Sequence, residues 1–299
     1  MKMNPEGNKK DRIAILGLGK VGTSIGCLLR LAGYPIVAVA GRSLENLEPG
    51  LRYTGGKAYT NLAEAASRAD CIMITTNDDA IASVCEEISR KGAISAGKKV
   101  IHMSGAGGLE ILSAAREAGA HVASIHPLQS FANVEGAMSS IPGSTFAITA
   151  DEEIKEWAVQ MVRDLEGHPF YVEDRDKPIY HAAACLASNY LTTLLHTVEE
   201  MYHSLGMEGA EAREAFWPLV LGTVKNIETR GSVAALTGPV SRGDAKTIEK
   251  HLSALQERFP EILPLYREMG MKTADLGLIK KTLSQDKAQT IKTLLKGGA

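Results

Sequence analysis

"IAILGLGKVGTSIGCLLRL" (residues 13–31) decides the fold. It opens on a short apolar run rich in Ile, passes through Gly17-x-Gly19-x-x-Gly22, and ends in a helical pattern of Ile, Leu and Cys. A strand, a tight turn and a helix in that order have specific physics. Gly17 permits the turn, Gly19 lets a ligand approach the backbone, and Gly22 lets the helix pack closely on the strand. The helix N-terminus points unpaired N–H groups and the positive end of its dipole at the same place, which favours an anion. The loop Gly17, Leu18, Gly19, Lys20, Val21 and Gly22 is therefore expected to hold the pyrophosphate of a dinucleotide.

The pattern around this stretch repeats it. Strand candidates lie at 13–19, 36–41, 57–60, 71–76, 99–104, 121–126, 145–150 and 169–173, most of them separated by helical stretches such as 81–91 and 109–118. Alternating strands and helices imply a mostly parallel sheet covered on both faces, a doubly wound α/β fold. Beyond about residue 174 no strand is expected. Helical patterns run over 176–205, 208–229, 244–257, 260–269 and 284–295, with Trp217–Pro218 as an expected kink. The organisation read from this is a tail at 1–11, a dinucleotide-binding domain at 12–174 and an all-helical domain at 175–299 that serves substrate binding, dimerisation or both.

Composition narrows the function. The 299 residues carry a net charge of −2, with 44% hydrophobic and 23% charged side chains, as in a water-soluble globular chain. No basic patch advertises nucleic acid or an anionic membrane. No apolar run is long enough to span a bilayer. The start, "MKMNPEGNKKDR", lacks the apolar core of a signal peptide. The four cysteines, Cys27, Cys71, Cys85 and Cys185, sit in apolar runs without metal-like spacing, and read as reduced thiols of a cytoplasmic protein with no metal.

Ligands of an open parallel sheet bind beyond the carboxyl ends of its strands. The second strand ends in Gly41, Arg42 and Ser43, where a site for NAD usually carries an acid for the ribose 2′-hydroxyl. A guanidinium and a hydroxyl suit a 2′-phosphate, so the expected cofactor is NADP. Thr76 and Asn77 follow the fourth strand and should line the cofactor. Ser104 and Gly105 follow the fifth, near the expected nicotinamide, and His126 ends the sixth. His102 lies within a strand and reads as a core histidine.

The helix "DKPIYHAAACLASNYLTTLLH" (residues 176–196) is too polar for its apolar setting. At ~3.6 residues per turn, His181, Ser188 and Thr192 fall within about 60° of Lys177, with Asn189 roughly 120° away. Asp176 is the expected N-cap. Lys177 and His181, at i and i+4, are expected to converge on one substrate atom, where they would stabilise charge and supply a proton during hydride transfer to a C=O or C=N bond. The proximity of the two is also expected to depress at least one of their pKa values. The candidate catalytic set is Lys177, His181, His126, Ser104 and Asn189. Ser188, and Arg242 in the loop "LTGPVSRGD", are candidates for substrate, and Asp244 for the cap of the next helix.

The glycine loop, "AGRS", "SGAGG", "HPLQSF", the segment from Lys177 to Asn189 and "ALTGPVSRGDAKTIEKHL" together resemble the Rossmann-like bacterial proteins whose C-terminal half is a domain of unknown function, candidate NADP oxidoreductases. The resemblance covers nearly the whole chain. It implies the 6-phosphogluconate dehydrogenase-like and ketopantoate reductase-like superfamily, with a Rossmann sheet and an NADP cofactor, and says little about substrate; the expected activity is an oxidoreductase acting on a small metabolite at the interdomain cleft. In several of those relatives a lysine opens the helical domain and an asparagine follows one turn later. Lys177 matches the lysine, but His181 stands in place of the asparagine. "HPLQSF" is also similar to the histidine-proline element of prephenate dehydrogenases, which makes a prephenate-like dehydrogenase one alternative. A non-catalytic dinucleotide-binding sensor or scaffold is another. The Ala- and Leu-rich helices suit a homodimer.

Overall fold

The computed structural model describes residues 10–297. It divides into two compact units, residues 1–194 and 195–299. In the first unit the strands are β1 (Ile13–Leu16), β2 (Ile36–Ala40), β3 (Lys57–Tyr59), β4 (Cys71–Ile74), β5 (Lys99–His102), β6 (His121–Pro127), β7 (Thr145–Ala150) and β8 (His168–Tyr171). They form one sheet in the order β3-β2-β1-β4-β5-β6-β7-β8. Every neighbouring pair is parallel except β6 and β7, where Ile125 pairs with Ile148 in antiparallel register. Helices α1 (Lys20–Leu31), α2 (Leu44–Thr54), α3 (Leu62–Ser67), α4 (Asp78–Arg90), α5 (Ser113–Glu117), α6 (Val134–Ser140) and α7 (Lys155–Asp164) connect them. The fold is the expected doubly wound α/β sheet followed by an all-helical region.

Both faces of the sheet's centre are dry because its central strands are apolar at consecutive positions, while the edge strands β3 and β8 are partly exposed. On β1, Ile13 and Ile15 join a core with Ile25, Leu29, Met73 and Phe146. Ala14 and Leu16 point the other way, into a core with Ile72, Ile74, Ile81 and Leu112. The parallel register of β1 with β2 and β4 places the glycine loop at the carboxyl edge of the sheet, beside the ends of both neighbours.

The start of the chain departs from the expected tail at 1–11. Residues 1–9 lie outside the described residues, but Lys10 is paired with Asp164 and Asp11 lies 2.9 Å from Lys99. Ion pairs to α7 and β5 hold these two residues, which polarity alone reads as a solvated run.

The helix after β8 belongs to the first unit for most of its length. It runs as α8 (Lys177–Cys185), a wider π-type turn at Leu186–Tyr190, and α9 (Leu191–His203). The division between the units falls inside α9, after Leu194, and not at residue 174 where composition changes. Asp176 sits at the start of α8 without making a cap bond. The preceding turn, Asp174–Asp176, leads straight into the helix.

The second unit holds the end of α9 with α10 (Ala210–Ala235), α11 (Pro239–Arg242), α12 (Ala245–Arg258), α13 (Leu263–Ile279) and α14 (Gln285–Leu295). Ile248, Ala274, Leu283, Ile291 and Leu295 form its own core. Asp244 caps α12 as expected, accepting from the Thr247 backbone N–H at 3.1 Å. The kink in α10 lies at Gly231 (φ 77°, ψ 158°), not at Pro218, where the backbone stays helical. Glycine adopts that positive φ without a Cβ clash, whereas proline's fixed φ is itself helical.

Candidate active site

The glycine loop has the geometry its spacing predicts. Gly17 has φ 99°, and a Cβ there would lie 2.7 Å from the Thr76 backbone nitrogen. A Cβ on Gly22 would lie 2.4 Å from the Gly17 carbonyl oxygen and 2.5 Å from Thr75 Oγ1. Both positions exclude any larger residue. Gly19 is the opposite case, with open space where its Cβ would be. It caps α1 with no side-chain bond to the helix N–H groups, and the first turn of α1 carries no acid. The Thr75 hydroxyl donates to the Gly17 carbonyl at 2.6 Å and ties the loop to the end of β4. Beside it, the buried Thr76 Oγ1 has no hydrogen-bond partner among the described residues. An open backbone, an uncapped helix start and an orphaned hydroxyl at one edge fit a dinucleotide phosphate.

At the end of β2, Gly41 donates from its backbone N–H to the Tyr59 carbonyl at 3.2 Å. Arg42 is exposed. The Ser43 hydroxyl already serves the fold, because it accepts from the Asn46 N–H at 3.3 Å and caps α2. Asn77 stands exposed at the start of α4.

The ends of β5 and β6 form a buried polar cluster with α8. Ser104 Oγ donates to Asp78 at 2.7 Å and accepts from the Gly107 N–H at 3.0 Å. His102 is fully buried and satisfied on both ring nitrogens, by the Ser104 N–H at 3.1 Å and the Gly108 carbonyl at 3.2 Å. Burial pushes its pKa down to about 4, with Lys177 as the next cause. It is a core histidine, as its place within a strand implies.

Lys177 does not behave as the helical stripe suggests. It is 1% exposed, and its ammonium donates to Ser124 Oγ on β6 at 2.8 Å and to the Ser104 carbonyl at 3.5 Å. Its pKa falls to about 8 because it is buried; Asp174, Glu110 and Asp78 oppose the shift. Helical spacing alone credits such a depression to His181, four residues on, but desolvation is the cause. His181 instead faces His126, with ring centres 6.0 Å apart at 76°. Gly105 lies between them: a Cβ there would lie 2.5 Å from the His181 ring and 2.8 Å from His126 Nε2. His126 Nδ1 is 2.8 Å from the Tyr180 hydroxyl. Its pKa is lowered to about 4 by burial, then by Lys177 and His181.

Ser188, Asn189 and Thr192 are exposed. Ser188 and Asn189 sit inside the π-type turn, so the 3.6-residue count from Lys177 no longer fixes their direction. Arg242, at the end of α11 in the second unit, is exposed as well. Four residues of the cluster carry no signal in the sequence. Asp78, Ser124 and Tyr180 bind Ser104, Lys177 and His126, and both Asp174 carboxylate oxygens accept from the Leu109 N–H, at 3.0 and 3.1 Å. Only the spatial neighbours of these polar side chains distinguish them from ordinary strand and helix residues.

Residues 5–127 match a Rossmann-like domain and residues 144–273 match a domain of unknown function, DUF2520. The chain joins a Rossmann-like domain to a DUF2520 domain. The DUF2520 match starts just before β7, so it takes in the last two strands as well as Lys177 and Tyr180. Among solved structures, the chain is similar to a candidate NADP oxidoreductase from Bacteroides fragilis, with 20% identity, a TM-score of 0.73, and coverage of 89% of this chain and 98% of that one. It is similar to a pyrroline-5-carboxylate reductase from Coxiella burnetii with 20% identity and a TM-score of 0.58, covering 95% and 99%. At such identities the likeness is one of fold. A 2-dehydropantoate 2-reductase from Archaeoglobus fulgidus is 32% identical over 107 residues, 34% of this chain and 35% of that protein. The chain thus spans about a third of the length of that curated relative. Among the described residues, no helix is long and apolar enough to cross a membrane.

Proposed function

We propose that this chain is an NADP(H)-dependent oxidoreductase that reduces a C=O or C=N bond of a small metabolite. The observation that carries the reading is the contrast among the three glycines, two sealed against their neighbours and Gly19 open before an uncapped helix. Supporting it, the same edge of the sheet holds a buried ammonium and two imidazoles. The similar proteins include reductases of a pyrroline carboxylate and of 2-dehydropantoate.

Bound reduced nicotinamide would supply the hydride. Gly17 to Gly22 and the first N–H groups of α1 would hold the pyrophosphate. Thr76 and Asn77 would line the cofactor, with Ser104 and Gly105 near its reactive end. Gly41, Arg42 and Ser43 carry no acid to repel a 2′-phosphate, and Arg42 is exposed to receive one. Lys177 places a fixed positive charge under the site and stabilises negative charge developing on the substrate. His126 and His181 face the substrate. Ser188 and Asn189 are candidates for its remaining polar groups.

We also propose a homodimer. On α10, Trp217, Leu219, Leu221, Val224 and Ile227 are each 42–71% exposed. At roughly 100 Å² each, they supply on the order of 1,000 Å² across two copies, the lower bound for a specific interface.

The test of the enzyme reading is loss of NADPH absorbance over a panel of ketones, aldehydes and imines. Lys177→Met is expected to lower kcat about a hundredfold, near 3 kcal/mol of transition-state stabilisation, while NADPH binding persists. Arg42→Ala is expected to weaken NADPH about tenfold and leave NADH unchanged. Full turnover in Lys177→Met would remove the role given to the buried ammonium, and equal NADH and NADPH affinities would remove the cofactor choice.

A further inference from the structure

We infer that Tyr180 is a positioning residue that fixes His126 in its Nε2–H tautomer, so that the site donates a hydrogen bond and a proton to an uncharged carbonyl oxygen: the substrate is a ketone or aldehyde. This rests on the oxidoreductase reading above. Tyr180 Oη lies 2.8 Å from His126 Nδ1. Burial raises the phenol's pKa to about 12, so a protonated hydroxyl faces Nδ1, and because a phenol is a better donor than acceptor, donation to Nδ1 is the direction we infer. An imidazole that accepts at Nδ1 carries its proton on Nε2 when neutral. His126 is neutral near pH 7, since burial, Lys177 and His181 all disfavour its charged form.

The direction of that N–H sets the ligand chemistry. Nε2 lies against Gly105, at the carboxyl end of β5, where a Cβ would be only 2.8 Å away. An N–H there needs a lone pair opposite. A carbonyl oxygen has one, but a protonated imine presents its own N–H and meets donor with donor. Bound reduced nicotinamide would supply hydride to the carbonyl carbon, and the C=O π electrons would move to oxygen. Oxygen would take the Nε2 proton as Nδ1 takes the Tyr180 hydroxyl proton and the half-buried Tyr180 oxygen takes one from solvent in the same step, so that no free tyrosinate forms. The product is the alcohol, and the imidazole ends neutral in its other tautomer.

Full-length protein labelled with ¹⁵N-histidine reads the tautomer directly by long-range ¹H–¹⁵N correlation. Wild type is expected to show His126 protonated at Nε2 and bare at Nδ1. Tyr180→Phe, which keeps the ring packed edge-on against His126, is expected to lose that bias. It should also lower kcat for ketones at least tenfold while changing KM less than threefold. An Nδ1–H tautomer in the wild type would overturn the inference without any variant. So would an unchanged tautomer and kcat in Tyr180→Phe, or turnover of cyclic imines with none of ketones. Failure to bind NADPH would strike the oxidoreductase reading instead, and the tautomer measurement would still decide the part played by Tyr180.

Discussion

Lys177 is 1% exposed and Leu219 is 71% exposed, each the reverse of its side chain's preference in water. The two residues stand for two regions. At the carboxyl edge of the sheet, polar groups are buried, and the structure satisfies them one by one: Lys177 through Ser124, Ser104 through Asp78, His102 through Ser104 and Gly108. Along α10, apolar groups are exposed. Burying an ammonium costs free energy that a core of leucines would not incur, so the first inversion marks a place where charge is useful. Leaving several large apolar side chains in water also costs, and the remedy is another surface. The difference teaches that the same anomaly, a residue on the wrong side, signals chemistry when it is polar and inside, and association when it is apolar and outside.

The sharpest way to break the first half of this comparison is at the glycines. Gly17→Ala forces a Cβ into the Thr75–Thr76 backbone at positive φ and is expected to cost about 3 kcal/mol or more by chemical denaturation. Gly19→Ala meets open space and is expected to stay within about 1 kcal/mol of wild type, yet to lower NADPH affinity at least tenfold. Equal stability losses would mean that the loop is only a packing feature. Acid probes the buried polar edge next. Unfolded histidine takes up its proton near pH 6.5, but folded His102 does so only near 4. Between those values the unfolded state binds more protons, so stability falls as pH drops from 6.5 to 4, by on the order of 3 kcal/mol from this residue. His102→Gln should flatten the stability curve in that window. An unchanged slope would mean that His102 is not held neutral. The smallest effect on folding belongs to α10. Leu219→Glu is expected to leave the unfolding midpoint of the isolated chain nearly unchanged while shifting the mass in light scattering from two copies to one. A wild-type mass of one copy would leave these exposed side chains without the proposed partner.

The fold was the most legible part. All eight strands appear within a few residues of their apolar runs, because a sheet covered on both faces needs continuous Ile, Val and Ala. Glycine spacing foretold which loop would be open. The site was legible only in outline. Lys177, His126 and Gly105 stand out as candidates, since each falls at a strand end or helix start. Helical spacing puts Lys177 and His181 four residues apart on one face, but it could not show that the ammonium's partner is Ser124 on β6, 53 residues away in sequence. The wide turn at Leu186–Tyr190 likewise escaped a count based on a regular period, and the kink fell at Gly231 rather than at Pro218.

By itself, the sequence determined the doubly wound sheet, the tight glycine turn after β1 and the absence of an acid at the end of β2. Each depends on local rules, the period of apolar residues and the conformations open to glycine. Tertiary structure alone decided that Lys177 is buried, that His126 meets Tyr180 and His181 over Gly105, and that α10 keeps several large apolar side chains in water. Those facts are set by which distant segments pack together, and no local period of the chain encodes that.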